Sequence, residues 1–68
     1  MIAEVIINGA PRQVPVEVPL SQLLAHLQLD PRTVVVERNG QIVRRDAMDA
    51  TAVASGDRIE LVHFVGGG

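Results

Sequence analysis

Apolar and polar positions alternate along the first eight residues. Met1, Ala3, Val5 and Ile7 fall on one face, and Glu4 and Asn8 on the other. A period of two marks a half-buried strand, so residues 1–8 are predicted as β. Asn8-Gly9 comes next. Both residues tolerate positive φ, which a tight hairpin turn demands. Gln13 to Pro19 alternates again, with Val14, Val16 and Val18 opposed to Gln13, Pro15 and Glu17. Proline cannot donate to a ladder, so Pro15 places this second strand at a sheet edge. The period then lengthens. Leu20, Leu23, Leu24 and Leu27 stand at i, i+3, i+4 and i+7, one stripe of an amphipathic helix. Pro19 suits its start, and Asp30-Pro31 is the expected stop. His26 lies on the polar side of this helix and reads as solvated. So short a helix is marginal alone and must be held by packing against a sheet.

Beyond the helix, Thr33 to Arg38 is β-branched and strand-like. Asn39-Gly40 repeats the hairpin signal, and Gln41-Ile42-Val43 is a short return strand. Residues 44–54 lack a clean period and read as irregular, with room for one helical turn. Ser55-Gly56-Asp57 is a turn that the Asp57 side chain is expected to close with a local hydrogen bond. Arg58 to Val65 is the last strand, with Ile59 and Leu61 on one face and Val62 and Phe64 on the other.

The order is therefore β-β-α-β-β-β, with one helix to cover one face of a mixed sheet. The compact solution at this length is α+β: a β-grasp, ubiquitin-like arrangement of four to five strands on one main helix. Its first and last strands lie adjacent and parallel at the centre, and the helix supplies the crossover that a parallel pair requires.

Composition narrows the function. A chain of 68 residues makes one domain, here expected over residues 1–65, with 66–68 as a flexible glycine tail. A domain this small buries only about 60% of its unfolded surface, so its stability margin is thin. Cysteine is absent, which removes disulfides, thiolate metal ligands and a thiol nucleophile. Phe64 is the sole aromatic residue, so the core is aliphatic. The net charge of −2 argues against a nucleic-acid binder, which needs a basic face. No stretch is long enough to span a membrane, and the N-terminus does not read as a signal peptide, so the cytoplasm is the expected compartment. All six basic residues are arginines. An activated acyl group on this chain would meet no lysine amine within the same molecule.

The chemistry points to the end. Gly66-Gly67-Gly68 follow directly on the last strand. A glycine leash puts a terminal carboxylate where another protein's active site can reach it, since no side chain obstructs the backbone. Val62, Phe64 and Val65 beside the tail are candidates for an exposed, partner-binding apolar patch. Glu37, Asp57 and Glu60 read as a solvated acidic face that can also steer docking onto a basic surface. His63 lacks a partner carboxylate in motif spacing, and His26 and His63 stand far apart without a ligand cluster, so neither a general base nor a metal site is predicted.

Taken in order, several pieces resemble the bacterial sulfur carriers of thiamine biosynthesis, the ThiS family. They are Ile6-Ile7-Asn8-Gly9, Leu20-Ser21-Gln22-Leu23-Leu24, Val35-Val36-Glu37-Arg38-Asn39-Gly40-Gln41-Ile42-Val43, Gly56-Asp57-Arg58-Ile59-Glu60-Leu61-Val62 and the closing Val62-His63-Phe64-Val65-Gly66-Gly67-Gly68. One departure is Met48, where members of the family often carry tryptophan; an adaptable methionine fills similar space.

The resemblance implies that the carboxylate of Gly68 is adenylated by a ThiF-like adenylyltransferase using MgATP and then converted to a thiocarboxylate. A desulfurase supplies the sulfur, and the product passes it to thiazole synthase, a ThiG-like enzyme. Gly67 and Gly66 give access to the partner's site. The chain itself is then a protein co-substrate with no catalytic residue, no bound cofactor and no metal. A MoaD-like carrier for molybdopterin synthesis and a ubiquitin-like protein modifier are the alternatives.

Overall fold

The computed structural model describes residues 2–15 and 17–63. Seven elements follow one another: β1 (Ile2–Ile7), β2 (Ala10–Pro15), α1 (Leu20–His26), β3 (Val34–Arg38), β4 (Gln41–Val43), a 3-10 helix over Arg45–Ala50, and β5 (Arg58–His63). The strands form one sheet in the order β2-β1-β5-β3-β4. β5 pairs parallel with β1 and antiparallel with β3. The last strand therefore lies in the middle of the sheet beside the first, as the element order predicts.

Both two-residue turns have the geometry their sequences announce. Asn8 and Gly9 adopt φ of 51° and 81°, and Asn39 and Gly40 adopt 53° and 85°. Positive φ at both central residues matches the right-handed twist of the paired strands. The first turn sets the register Ile7↔Ala10, so β2 begins at Ala10, earlier than the predicted Gln13, and ends at Pro15. Pro11 and Pro15 oppose Ile6 and Ile2, positions that alternate with the closing pair and turn their missing N–H away from β1. As an edge strand, β2 accepts both prolines.

Alternation and the leucine stripe converge on one core. Ala3, Val5 and Ile7 of β1, Val14 of β2, Val34 and Val36 of β3 and Ile59 of β5 are buried against Leu20, Leu23 and Leu24 of α1. Val53 and Met48 complete the core, the latter from the 3-10 helix in the irregular stretch. Leu27 is only partly buried, at the end of the stripe.

α1 stops sooner than the sequence suggests. Pro19 is the N-cap, and its carbonyl accepts from Gln22 and Leu23. The helix ends at His26, ahead of Asp30-Pro31, because Gln28 takes a left-handed φ of 62°. The Gln28 N–H then bonds to the Ala25 carbonyl, and the Leu29 N–H bonds to Leu24 at 2.8 Å. This paired closure satisfies the last carbonyls and lays Leu29 against the core. Asp30 and Pro31 instead form the turn into β3. There Arg32 grips the Asp30 carboxylate through its guanidinium and its N–H, lowering the Asp30 pKa to about 2.

The left-handed cap is occupied by a residue with a side chain, and this strain is removable. Gln28→Gly should stabilise the fold by about 0.5–1 kcal/mol, the smaller figure allowing for the extra freedom glycine gives the unfolded chain. Urea denaturation of the two proteins measures this.

Candidate functional site

The predicted site lies where β5 ends. Val62 is on the sheet face opposite the helix and is 56% exposed. It stands opposite Val35 of β3, while Ile42 of β4 and Ile2 of β1 are also exposed on large fractions of their surface. The predicted split of β5 is borne out for three of its four residues: Ile59 is buried, Leu61 is half-buried on the same face, and Val62 points outward. Phe64, Val65, Gly66, Gly67 and Gly68 lie outside the described residues.

Two side chains fix β5 at its ends. At its start, Asp57 is 5% exposed, so it does not belong to the solvated acidic face expected of it. Burial would push its carboxyl pKa up, but three donors outweigh burial and hold it below the usual range. They are the Ala54 N–H at 2.8 Å, Arg38 Nε at 2.8 Å and Asn39 Nδ2 at 3.1 Å. The expected local turn bond is the one to Ala54. The other two bring the β3–β4 hairpin to the root of β5. Asn39 adds a bond from the Arg58 N–H to its own Oδ1 and another from its N–H to the Arg58 carbonyl.

Nearer the exit, the parallel ladder with β1 runs from Ile6 N–H to the Asp57 carbonyl and from Asn8 N–H to the Ile59 carbonyl. Its next bond would join the Leu61 N–H to the backbone carbonyl of Asn8. At Asn8, however, the chain has already turned into the hairpin. The Asn8 side chain takes over, and its Oδ1 accepts from Leu61 N–H at 2.8 Å. Asn8 reads as a turn residue in sequence, and nothing local announces this second role.

The remaining acidic candidates stay at the surface. Glu37 is half-buried and Glu60 exposed, and they face each other directly across β3 and β5. His63 shares the helix-side face with Ile59 and Leu61, and it lines a cleft together with His26. The fold thus brings together two histidines that are distant in sequence. Among the described residues, no group of three or more His, Cys, Asp or Glu is placed to hold a metal ion. No described helix is long and apolar enough to cross a membrane.

A model of the ThiS family matches residues 5–68. The chain belongs to the ThiS family. The ThiS sulfur carrier protein of Bacillus subtilis is 43% identical over 49 residues, which are 72% of this chain and 74% of that protein. The crystal structure of the thiamine biosynthesis protein ThiS from Geobacter metallireducens superposes with a TM-score of 0.83 at 37% identity, covering 96% of this chain and 99% of that one. The β-grasp arrangement is thus that of a solved ThiS protein. A thiazole synthase of Paramagnetospirillum magneticum is 40% identical over 65 residues, which are 96% of this chain but 20% of that enzyme. The chain likewise spans 19% of the thiazole synthase of Magnetococcus marinus. It therefore corresponds to about a fifth of each of these two enzymes.

Two variants test how β5 is held. Asn8→Gly keeps the left-handed turn and removes the acceptor. Hydrogen exchange at Leu61 should then lose about 1 kcal/mol of protection, roughly a fivefold faster exchange. Asp57→Asn should cost about 1–3 kcal/mol at neutral pH by weakening bonds to a buried carboxylate. Because the folded-state pKa of Asp57 is lowered, its contribution is present above the unfolded value near 3.8 and disappears as pH falls through the folded value. The stability gap between wild type and Asp57→Asn should therefore narrow below about pH 4. Denaturant melts across pH check this.

Proposed function

We propose that this chain is the sulfur carrier for thiazole formation in thiamine biosynthesis and that Gly68 is the atom-bearing residue. The observation that carries the reading is the family match, which runs through the closing glycines as well as the folded body. Beyond His63, the last residue of β5, the sequence continues for five residues, Phe64 to Gly68.

A terminal carboxyl has a pKa of about 3.5 and is an anion at neutral pH. In a ThiF-like adenylyltransferase it attacks the α-phosphorus of MgATP. A carboxyl oxygen–phosphorus bond forms, and pyrophosphate leaves. The resulting acyl-adenylate is an electrophile at the Gly68 carbonyl carbon. A persulfide, formed when a desulfurase takes sulfur from cysteine, attacks that carbon through its terminal sulfur and displaces AMP, leaving an acyl disulfide. A thiol reductant then attacks the outer sulfur, breaks the S–S bond and releases the thiocarboxylate, with the two former thiol sulfurs left joined as a disulfide. The thiocarboxylate then gives its sulfur to a ThiG-like thiazole synthase. The kinship with the two thiazole synthases supports that last partner. Positioning of phosphates and exclusion of water fall to the enzyme, and the chain is a co-substrate rather than a catalyst. Val62, Phe64 and Val65 form the contact beside the tail, and Gly66 and Gly67 thread the enzyme's entry. The same reading places the chain in the cytoplasm with these enzymes.

Co-expression with the activating enzyme and a sulfur source, followed by intact mass, tests the proposal. The full chain should gain the mass difference of sulfur replacing oxygen, and fragmentation should place it at Gly68. Deleting Gly68, or replacing Gly67 with a bulky residue, should abolish the gain and leave the melting curve unchanged. Retention of oxygen under these conditions refutes the assignment, and Gly68 joined to lysines of other proteins would make the chain a modifier instead.

A further inference from the structure

On the helix side of the sheet, beside the exit of β5, lies a cleft of about 370 Å³. Leu27, Leu29 and Leu61, which pack on the core, give it an apolar lining. Arg12, His26 and His63 also line it. Arg12 comes from the edge strand β2, opposite Val5 in the register. Val5 is buried in the core, so Arg12 shares the helix-side face. His26 is the last residue of α1 and His63 the last of β5.

The charge of this wall is opposite to that of the chain. The sequence carries eight acidic residues against six arginines, yet none of the nine residues lining the cleft is Asp or Glu. The ion pairs among the described residues engage Arg32, Arg38 and Arg44, and Arg12 is in none of them.

We propose that this cleft receives an acidic side chain of the enzyme that takes up the glycine tail. The inference rests on the carrier reading above and adds a second contact, on the side of the sheet away from Val62. The carboxylate of a glutamate or aspartate fits the forked guanidinium of Arg12, with the imidazoles beside it as further donors. Its methylene stem lies on the leucines. Because His63 itself lines the cleft, an enzyme that closes on residues after His63 passes this opening. It thereby holds the root of the tail from both faces.

Calorimetric titration of the full chain into the adenylating enzyme of the same organism, without ATP, tests this directly. Arg12→Glu should weaken binding tenfold or more, and Arg12→Gln should weaken it less. His26→Glu should act in the same direction as Arg12→Glu. Added salt should weaken wild type more steeply than Arg12→Gln. Reversing the charge of the enzyme's contacting acid should restore Arg12→Glu. Arg12 and His26 are both exposed, so unchanged melting curves separate lost docking from lost folding. Wild-type affinity in both Arg12→Glu and His26→Glu overturns the proposal, as does a wild-type chain that does not bind. Binding is read without any sulfur transfer, so a chain that docks through the cleft but never gains sulfur refutes only the carrier reading. A chain that gains sulfur with the cleft variants unimpaired refutes only the cleft.

Discussion

The parallel pairing of the first strand with the last governs this small domain. β5 takes hydrogen bonds from neighbours on both sides, and its partner β1 is separated from it by nearly the whole chain. Parallel neighbours need a long crossover, and the segment containing α1 supplies it while covering one face of the sheet. Burial of the leucines of α1 therefore depends on that pairing, since the sheet surface they pack on includes Ala3, Val5 and Ile7 from one strand and Ile59 from the other. A domain with so little surface to bury has no second core to fall back on.

Asp57 and Asn8 make the pairing definite at its two ends. The Asp57 carboxylate gathers donors from three places: the turn before β5, the end of β3 and the β3–β4 hairpin. A buried charge without such partners would be costly. With them it pins the start of the central strand to the opposite half of the sheet. Asn8 acts at the other end by continuing a backbone ladder with a side-chain oxygen.

Much of this was legible in the chain. Alternation gave the faces of β1 and β5, and the leucine spacing gave the buried stripe of α1. The Asn8-Gly9 and Asn39-Gly40 turns were readable because their positive φ is a local steric property. What escaped was set by distant groups. Gln28 carries no cue for a left-handed cap; the helix turns there because Leu29 finds the core. Asp57 looked solvated because its partners at positions 38 and 39 are neighbours only in the folded sheet. β2 starts early because the turn fixes its register, which outweighs the discouraging proline at position 11. For the candidate site, the outward placement of Val62 followed from alternation. The meeting of His26 and His63 required the helix to end where it does.

The side-chain bond from Asn8 to Leu61 also works as a ruler. The asparagine is both the corner of the hairpin and the last acceptor offered by β1, so one residue fixes where the ladder ends on β5. An insertion into that corner would displace the acceptor along the sheet without changing a single residue of β5 or the glycines. The point at which β5 parts from β1 is set by a turn more than fifty positions away in sequence.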